Sequence, residues 1–249
     1  MARLQSQLTD WLNPAAFRDY GPNGLQVQGR PEVAHLVTGV TASLALIEAA
    51  TRAGADAILV HHGLFWRGQD GCVTGWMRQR LKALLLQDIN LLAYHLPLDA
   101  HPVMGNNAQL GRVLDLTPLP EGDGRFGEQA LGFLGTTPCA SLGELARHAR
   151  LRLGRDVVQV GMPEHPVRTV AWCTGGAQSY FEAAIAAGAD VFITGEISEP
   201  QAHYAREMGV GYLACGHHAT ERYGVQAVGD ELARTLGIRH TFIDIDNPA

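Results

Sequence analysis

The 249-residue chain has few cysteines, no paired cysteine spacing and no long apolar run. Its four cysteines are widely spaced and form no CxxC pair; they are Cys72, Cys139, Cys173 and Cys215. This pattern suggests neither a thiolate zinc knuckle nor a disulfide framework. No stretch reaches the roughly 18 apolar residues that a membrane-spanning helix needs, so we expect no membrane contact.

Positive charge is also scarce. The chain has 19 Lys and Arg residues against 25 Asp and Glu residues, for a net charge of −6. A broad basic surface for nucleic acid is therefore disfavoured. The first ten residues lack the apolar core of a secretory signal peptide. With 46% apolar and 18% charged residues, the composition is ordinary for a globular protein, and we expect a cytoplasmic location.

Histidine, in contrast, is concentrated in three short windows. Six of the eleven histidines lie in 61–66 (HHGLFW), 95–101 (HLPLDAH) and 216–221 (GHHATE). Imidazole and carboxylate groups are ligands for divalent transition metals, and the windows offer more of them than one ion needs. They predict a two-metal site with hydrolytic chemistry.

The chain also carries an internal repeat. Residues 39–62 are echoed by 175–196, and both copies contain the sequence Ala-Gly-Ala-Asp before a short apolar run. The pattern predicts strand, turn, helix and buried parallel strand in each copy, with Gly54 and Gly188 as left-handed helix caps. All three windows, and Glu196, then follow the carboxyl ends of predicted strands, where open α/β sheets place their ligand sites.

Further elements complete each copy. The predicted helices are 78–87, 141–152 and 199–208, the predicted strands are 90–94 and 211–215, and 126–134 is predicted as an edge strand after a loop at 117–124. We divide the chain into a first α/β repeat with two ligand clusters, a connecting α+β segment and a second α/β repeat with the third cluster; they span 1–116, 117–170 and 171–249. The expected fold class is α/β, with two intertwined duplicated repeats and mixed sheets.

In the last window, His217 and Glu221 lie one helical turn apart, so their side chains share a face and can clasp one ion. We favour His217 over His218 for that reason. The alternative is a helix-terminal histidine pair beside an unrelated surface glutamate.

In the first window, His61 and His62 are adjacent, and on an extended strand their side chains would point to opposite sides. A twist at the strand end before Gly63 would let each histidine serve one of two neighbouring ions. The alternative is one buried histidine that satisfies its nitrogens locally and one exposed histidine.

In the second window, Asp99 offers the oxygen ligand. Pro97 stiffens the segment and biases Leu96 toward an extended conformation. His95 and His101 are candidates for ligation, for hydrogen bonding to a ligand or for proton transfer in catalysis. For His101 a surface-loop position is the alternative.

Together, five residues suit two ions that share Glu221: His61, His62, Asp99, His217 and Glu221. About three protein ligands per ion would leave positions open for water, which is typical of catalytic sites. Zinc, iron and manganese all fit nitrogen and oxygen ligands. Beside the first window, Phe65 and Trp66 could stack a ring, but aromatic residues at a strand exit are more often there for packing. Arg67 could meet a phosphate, but a solvated surface arginine is the default interpretation.

The three windows, and the segment 21–27 (GPNGLQV), resemble the NIF-three-like family of dinuclear-metal proteins, whose bacterial members are labelled GTP cyclohydrolase 1 type 2 homologues. The resemblance implies an intertwined, duplicated α/β fold in a ring-shaped homohexamer. By position it implies the same five ligands, with Glu221 bridging and His95 near the centre. It also implies hydrolytic opening of the guanine ring of GTP with release of formate, in which His95 or His101 moves protons.

Three other functions compete with this one. A phosphoester hydrolase would keep the two metals but act on another bond. A metal-handling or chaperone protein would bind ions without turnover, and a ring-shaped protein could encircle nucleic acid, against which the negative charge weighs.

Overall fold

The computed structural model describes residues 1–120, 122 and 124–249. Its helices are α1 (Ala2–Leu12), α2 (Leu44–Arg52), α3 (Gly75–Leu86), α4 (Leu96–Ala100), α5 (Asn106–Val113), α6 (Leu142–Leu153), α7 (Phe181–Ala186), α8 (Glu199–Met208) and α9 (His217–Leu236). Its strands are β1 (Gly24–Val27), β2 (His35–Thr41), β3 (Ala57–His62), β4 (Asn90–Ala93), β5 (Thr117–Pro118), β6 (Arg125–Phe126), β7 (Gly132–Thr136), β8 (Val158–Val160), β9 (Thr169–Trp172), β10 (Val191–Thr194), β11 (Gly211–Ala214) and β12 (Arg239–Phe242). None of the helices in these residues is both long and apolar enough to cross a bilayer.

Two compact units divide the chain. Unit 1 comprises Met1–Gly105 and Arg222–Asp246, and unit 2 comprises Asn106–Glu221 and Asn247–Ala249. Helix α9 therefore begins in unit 2 and continues in unit 1. Each unit has its own mixed sheet, which confirms the predicted α/β class.

The sheet of unit 1 has the strand order β1-β4-β3-β2-β12, with β1 antiparallel to β4 and the other neighbours parallel. Alternate residues of β3 point to opposite faces, as strand geometry requires. Ile58 and Val60 pack with α2 and α3, whereas Leu59 packs with α1 and the unit 1 part of α9. Both faces are covered, which explains why β3 reads as an uninterrupted apolar run.

The sheet of unit 2 has the order β5-β7-β9-β10-β11-β8, with β6 also paired to β7. The three strands β9, β10 and β11 are parallel, and β7 and β8 are antiparallel to their neighbours. Phe181, Phe192 and Tyr212 form a fully buried aromatic cluster with ring centroids 4.9–5.9 Å apart. The parallel strands place the residues that follow β10 and β11 at one edge of the sheet.

The predicted repeat is present in both sheets. Gly54 has φ +71° and Gly188 has φ +79°, as the predicted left-handed helix caps require. The parallel strands β3 and β10 follow them. The predicted helix after Ser141 is also confirmed, because the Ser141 side chain accepts a hydrogen bond from the Glu144 N–H at the start of α6.

The prediction of one edge strand over 126–134 is wrong. Two short strands, β6 and β7, flank a 3₁₀ turn at Glu128–Ala130, and β7 lies inside the sheet beside β9. Gln129 and Ala130 both have positive φ, which interrupts the extended chain. The predicted loop at 117–124 begins instead with β5; its residues 121 and 123 lie outside the described residues.

Candidate metal centre

Three histidines of unit 1 gather at the carboxyl ends of β3 and β4. One ligand atom from each of His61, His62 and His95 lies within 4.8 Å of the others. The ring centroids of His61 and His62 are only 4.6 Å apart, although the two residues are adjacent in a strand. His61 is fully buried, whereas His62 and His95 are half-buried. The strand end therefore brings adjacent imidazoles together, as the sequence predicted.

In each of the three rings, Nδ1 lies at hydrogen-bonding distance from a protein oxygen. Nδ1 of His61 is 3.0 Å from the carbonyl oxygen of Tyr94, and Nδ1 of His62 is 3.1 Å from the hydroxyl of Thr41. For His95 the partner is the Asp19 carboxylate, at 2.7 Å. A carbonyl or carboxylate partner selects the tautomer with hydrogen on Nδ1, so Nε2 becomes the coordinating atom.

Asp99 lies in the single-turn helix α4. The structure differs here from the predicted extended segment, because Leu96 and Pro97 form the first turn of this helix. Proline is tolerated there because first-turn N–H groups have no partner within the helix. Asp99 is 6% exposed, and its Oδ1 lies 3.4 Å from Nε2 of His61. An imidazole nitrogen and a carboxylate oxygen thus face each other at a distance that a shared ion would span.

The position of His95 depends on the loop before β1. The Asp19 carboxylate accepts hydrogen bonds from the Leu96 N–H and the Asn23 side chain, and the Asn23 side-chain oxygen accepts one from the His95 N–H. Burial raises the pKa of Asp19. The opposing effects are larger, so the pKa lies below its usual value; they are the hydrogen bond and charge of His95 and the hydrogen bonds from the Asn23 side chain and the Tyr20 N–H. Asp19 is therefore a buried carboxylate that orients His95.

His101 has a different environment. Its Nδ1 accepts hydrogen bonds from the N–H groups of Val103 and Met104, at 3.2 and 2.9 Å. Burial also lowers the pKa of His101. This geometry requires an unprotonated Nδ1, so the ring caps a local turn.

Unit 2 holds the third cluster at the start of α9. Nε2 of His217 lies 3.1 Å from the Glu221 carboxylate, one helical turn along, as the spacing predicted. Nδ1 of His217 lies 2.6 Å from Oε1 of Glu196, which follows β10. Although burial opposes the charged ring, the Glu221 and Glu196 carboxylates raise the pKa of His217 to about 9.

A glycine makes room for this pair. Gly175 has φ +70°, and a Cβ placed there would overlap Oε1 of Glu221 and lie 3.1 Å from Nε2 of His217. The segment that follows β9 can approach the carboxylate only because this residue has no side chain.

The donor chemistry of both clusters fits divalent transition metals. The unit 1 cluster provides the Nε2 atoms of three histidines and the unit 2 cluster provides that of His217. Each cluster also has a carboxylate that is nearly excluded from solvent: Asp99 is 6% and Glu221 3% exposed. Such a set suits zinc, iron or manganese. The five residues predicted as ligands stay candidates, and the sequence assigned no role to Asp19, Asn23 or Glu196, although Glu196 was noted at a strand end.

The fold and these clusters define a mixed α/β protein with metal-binding potential, and the chain belongs to the DUF34/NIF3 (NGG1p interacting factor 3) family, whose profile matches residues 1–248. It is 51% identical to a protein of Pseudomonas aeruginosa named "GTP cyclohydrolase 1 type 2 homolog", over 100% of this chain and 98% of that protein. A relative of the same name from Escherichia coli K12 is 50% identical, over 99% of this chain and 98% of the relative.

Among solved structures, one described as "protein ybgI, unknown function" superposes with a TM-score of 0.93 at 48% identity, covering 100% of this chain and 99% of that one. The Thermus thermophilus protein TTHA1606 has a TM-score of 0.86 at 32% identity, with 100% and 99% coverage. These similarities extend over the whole chain and confirm the predicted family.

Proposed function

We propose that this protein is a dinuclear metal-dependent hydrolase that opens the ring of a purine nucleotide with release of formate. Its metal ligands are His61, His62, Asp99, His217 and Glu221, and Glu221 is shared by the two ions. One observation carries the proposal: in His61, His62, His95 and His217, a protein oxygen lies beside Nδ1, leaving Nε2 to coordinate or to move a proton.

The substrate class comes from the relatives. Proteins about half identical to this chain over nearly its full length carry the name "GTP cyclohydrolase 1 type 2 homolog". That name supports GTP as the first substrate to test. The similarity to these relatives supports the choice of substrate less strongly than it supports the choice of ligands, because a fold and its metal site are compatible with many substrates.

When bound, two divalent ions supply Lewis-acid charge and make a water molecule more acidic. The residues of the chain supply orientation and proton transfer. Asp99 and Glu221 are nearly excluded from solvent, so their charges act with little screening. We assign the proton-transfer role to His95, because Asp19 fixes Nδ1 of its ring and leaves Nε2 to exchange a proton.

The first experiment measures metal content and reaction products for wild type and Glu221→Gln. We expect close to two ions per wild-type chain, a sharp loss in the variant, and formate release from GTP by the wild type alone. Glu199→Gln is the matched control, because Glu199 pairs with His203 at the same four-residue spacing on a helix but is exposed. Unchanged metal content in Glu221→Gln would refute the bridge.

The products separate the competing functions. Inorganic phosphate without formate would indicate a phosphoester hydrolase. Metal that exchanges rapidly, with no turnover of any nucleotide, would indicate metal handling. Nucleic-acid binding that weakens with salt would favour a nucleic-acid ring, because phosphate contacts release counterions.

The proposal includes a ring-shaped homohexamer in the cytoplasm. Assembly is supported by the family membership and by exposed apolar side chains on α3, where Trp76, Leu85 and Leu86 are 53%, 61% and 69% exposed. Light scattering should give a mass close to six times the 26.8 kDa of one chain. The wide cysteine spacing is compatible with a reducing compartment, and cell fractionation tests the location.

A further inference from the structure

Two aromatic rings flank His95 in unit 1. The Tyr20 ring lies 5.9 Å from the His95 ring and is tilted 63° to it, and the Trp66 ring lies 5.1 Å away at 88°. Trp66 also lies 6.0 Å from His62. A substrate that exchanges a proton with His95 would therefore lie close to two aromatic rings, those of Tyr20 and Trp66.

Tyr20 is conspicuous because its side chain is 60% exposed next to a cluster whose other members are half-buried or buried. A ring that only filled the core would be covered. Here a large part of the phenol remains open to a ligand, while its tilted contact is with a candidate catalytic histidine. Aromatic rings offer planar surfaces that stack on other planar rings.

Hydrogen bonds hold the backbone of the two segments that carry these rings. The Arg67 N–H donates to the carbonyl oxygen of Tyr20 at 2.7 Å, and the Arg67 guanidinium donates to that of Asp19 at 2.9 Å. The Tyr20 N–H donates to the Asp19 carboxylate at 2.6 Å. Gly21 lies so close to the Phe65 carbonyl oxygen that a Cβ would overlap it.

Arg67 therefore links two loops: the one that carries Tyr20 and the one that carries Trp66. This bonding differs from the phosphate contact considered from the sequence. Because the backbone of both loops is held in advance, a ligand would lose little binding free energy in ordering the loops.

We propose that Tyr20 and Trp66 form a stacking subsite for a planar heteroaromatic ring, so that the ligand of this site is a ring compound such as a nucleoside. This inference rests on the proposed function, because it assigns the ring-recognition step of the same site. Asp19 supports the subsite as a positioning residue, since it contacts both the Tyr20 backbone and the His95 ring.

Calorimetric titration of the whole protein with guanosine, adenosine, uridine and ribose tests the subsite. Ribose shares the sugar of the nucleosides but lacks their ring. We expect saturable binding of at least one nucleoside, with ribose at least tenfold weaker. Aromatic side chains stack on every type of base, and this binding is weakened when the aromatic residue is replaced by alanine.

Tyr20→Ala should weaken nucleoside binding about tenfold, which corresponds to about 1.4 kcal/mol. Tyr20→Phe should remain close to wild type, because it keeps the ring. Tyr204→Ala is the control, since Tyr204 is a half-buried aromatic residue on α8 of unit 2. Wild-type affinity in Tyr20→Ala, or equal binding of ribose and the nucleosides, would overturn the subsite, as would the absence of binding by all four probes.

Metal content is measured on the same samples. Retained metal with lost nucleoside binding supports the subsite, whereas loss of metal in Tyr20→Ala would show that Tyr20 has a structural role and would overturn it. Nucleoside binding is also measured after chelation. A wild-type protein that binds nucleosides but never metal would refute the hydrolase and leave the stacking subsite standing.

Discussion

Glu196 and Glu221 contact the two nitrogens of the same ring: Oε1 of Glu196 lies 2.6 Å from Nδ1 of His217, and Oε2 of Glu221 lies 3.1 Å from its Nε2. The Glu196 carboxylate orients the imidazole, and the Glu221 carboxylate lies beside Nε2, the nitrogen left to coordinate a metal. A histidine held in this way is a stronger metal ligand, because the carboxylate fixes the tautomer and raises the basicity of the ring. The Tyr212 hydroxyl also donates to the Glu196 carbonyl oxygen, which fixes the backbone at this strand end.

We predict that Glu196→Gln weakens metal binding about tenfold to a hundredfold, since partners of metal-bound histidines have effects of this size. The amide keeps the shape of the side chain but lacks the charge that stabilises the ring. Competition with a fluorescent chelator measures the affinity. The exposed Glu199→Gln substitution on α8 should change nothing, and equal affinities in all three proteins would show that Glu196 does not tune the site.

His95 and His101 are both candidates for proton transfer, and substitutions should distinguish their roles. We predict that His95→Gln lowers formate release by about a hundredfold to ten-thousandfold, the usual range for loss of a general acid or base, while the metal content remains close to wild type. Asp19→Asn should lower it in the same direction, because it removes the carboxylate that orients the ring. Loss of metal in His95→Gln would instead make His95 a ligand.

For His101 the prediction concerns stability. His101→Ala removes the acceptor for the Val103 and Met104 N–H groups and should cost about 1–3 kcal/mol of unfolding free energy, whereas His101→Asn offers an oxygen in its place and should recover part of it. Denaturant titrations measure the difference. A large fall in turnover by a stably folded His101→Asn protein would return His101 to the catalytic residues.

The sequence predicted the pairing of His217 with Glu221 and the repeat because both are local patterns. His217 and Glu221 are linked by one helical turn, and Gly54 and Gly188 end helices through their own backbone conformation. The pairing of Asp19 with His95 is different, since 76 positions separate the two residues and only the folded sheet brings them together. No periodicity or spacing in the chain encodes such a contact.

The same reasoning explains the local errors. The segment 126–134 has the apolar content of a strand, but Gln129 and Ala130 adopt positive φ. Neither residue type predicts that conformation. Pro97 was expected to keep Leu96 extended, yet both lie in the first turn of α4, where the Leu96 N–H donates to the Asp19 carboxylate. This helical turn occurs together with a long-range hydrogen bond, which the local sequence does not reveal.

Gly175→Ala should disturb the candidate metal site although it replaces none of the proposed ligands. The added methyl group would overlap the Glu221 carboxylate, and a positive φ is unfavourable for alanine. We predict loss of metal at a cost of at least about 1 kcal/mol in stability. Gly188→Ala is the control: it also has positive φ, but its Cβ would meet no atom within 4 Å. Equal metal loss in both variants would assign the effect to backbone strain alone.

Asp56 supports a prediction about acid stability. Its Oδ2 accepts hydrogen bonds from the N–H groups of Ala34 and His35 before β2, and its Oδ1 lies 2.9 Å from Arg30. In unit 2, Asp190 accepts the N–H groups of Arg168 and Thr169 in the same way, as the repeat implies. Burial raises the pKa of Asp56, but the two backbone donors and the Arg30 charge lower it below the usual 3.8.

A lowered folded-state pKa means that the charged form stabilises the fold above about pH 4, and that this contribution is lost as the pH falls through the folded-state pKa. Asp56→Asn should therefore be less stable than wild type by about 1–2 kcal/mol at pH 7, and the difference should shrink below about pH 4. Urea titrations at neutral and acid pH measure both values, with the exposed Asp10→Asn as control. A difference that stays constant down to acid pH would mean that the Asp56 charge does not stabilise the start of β2.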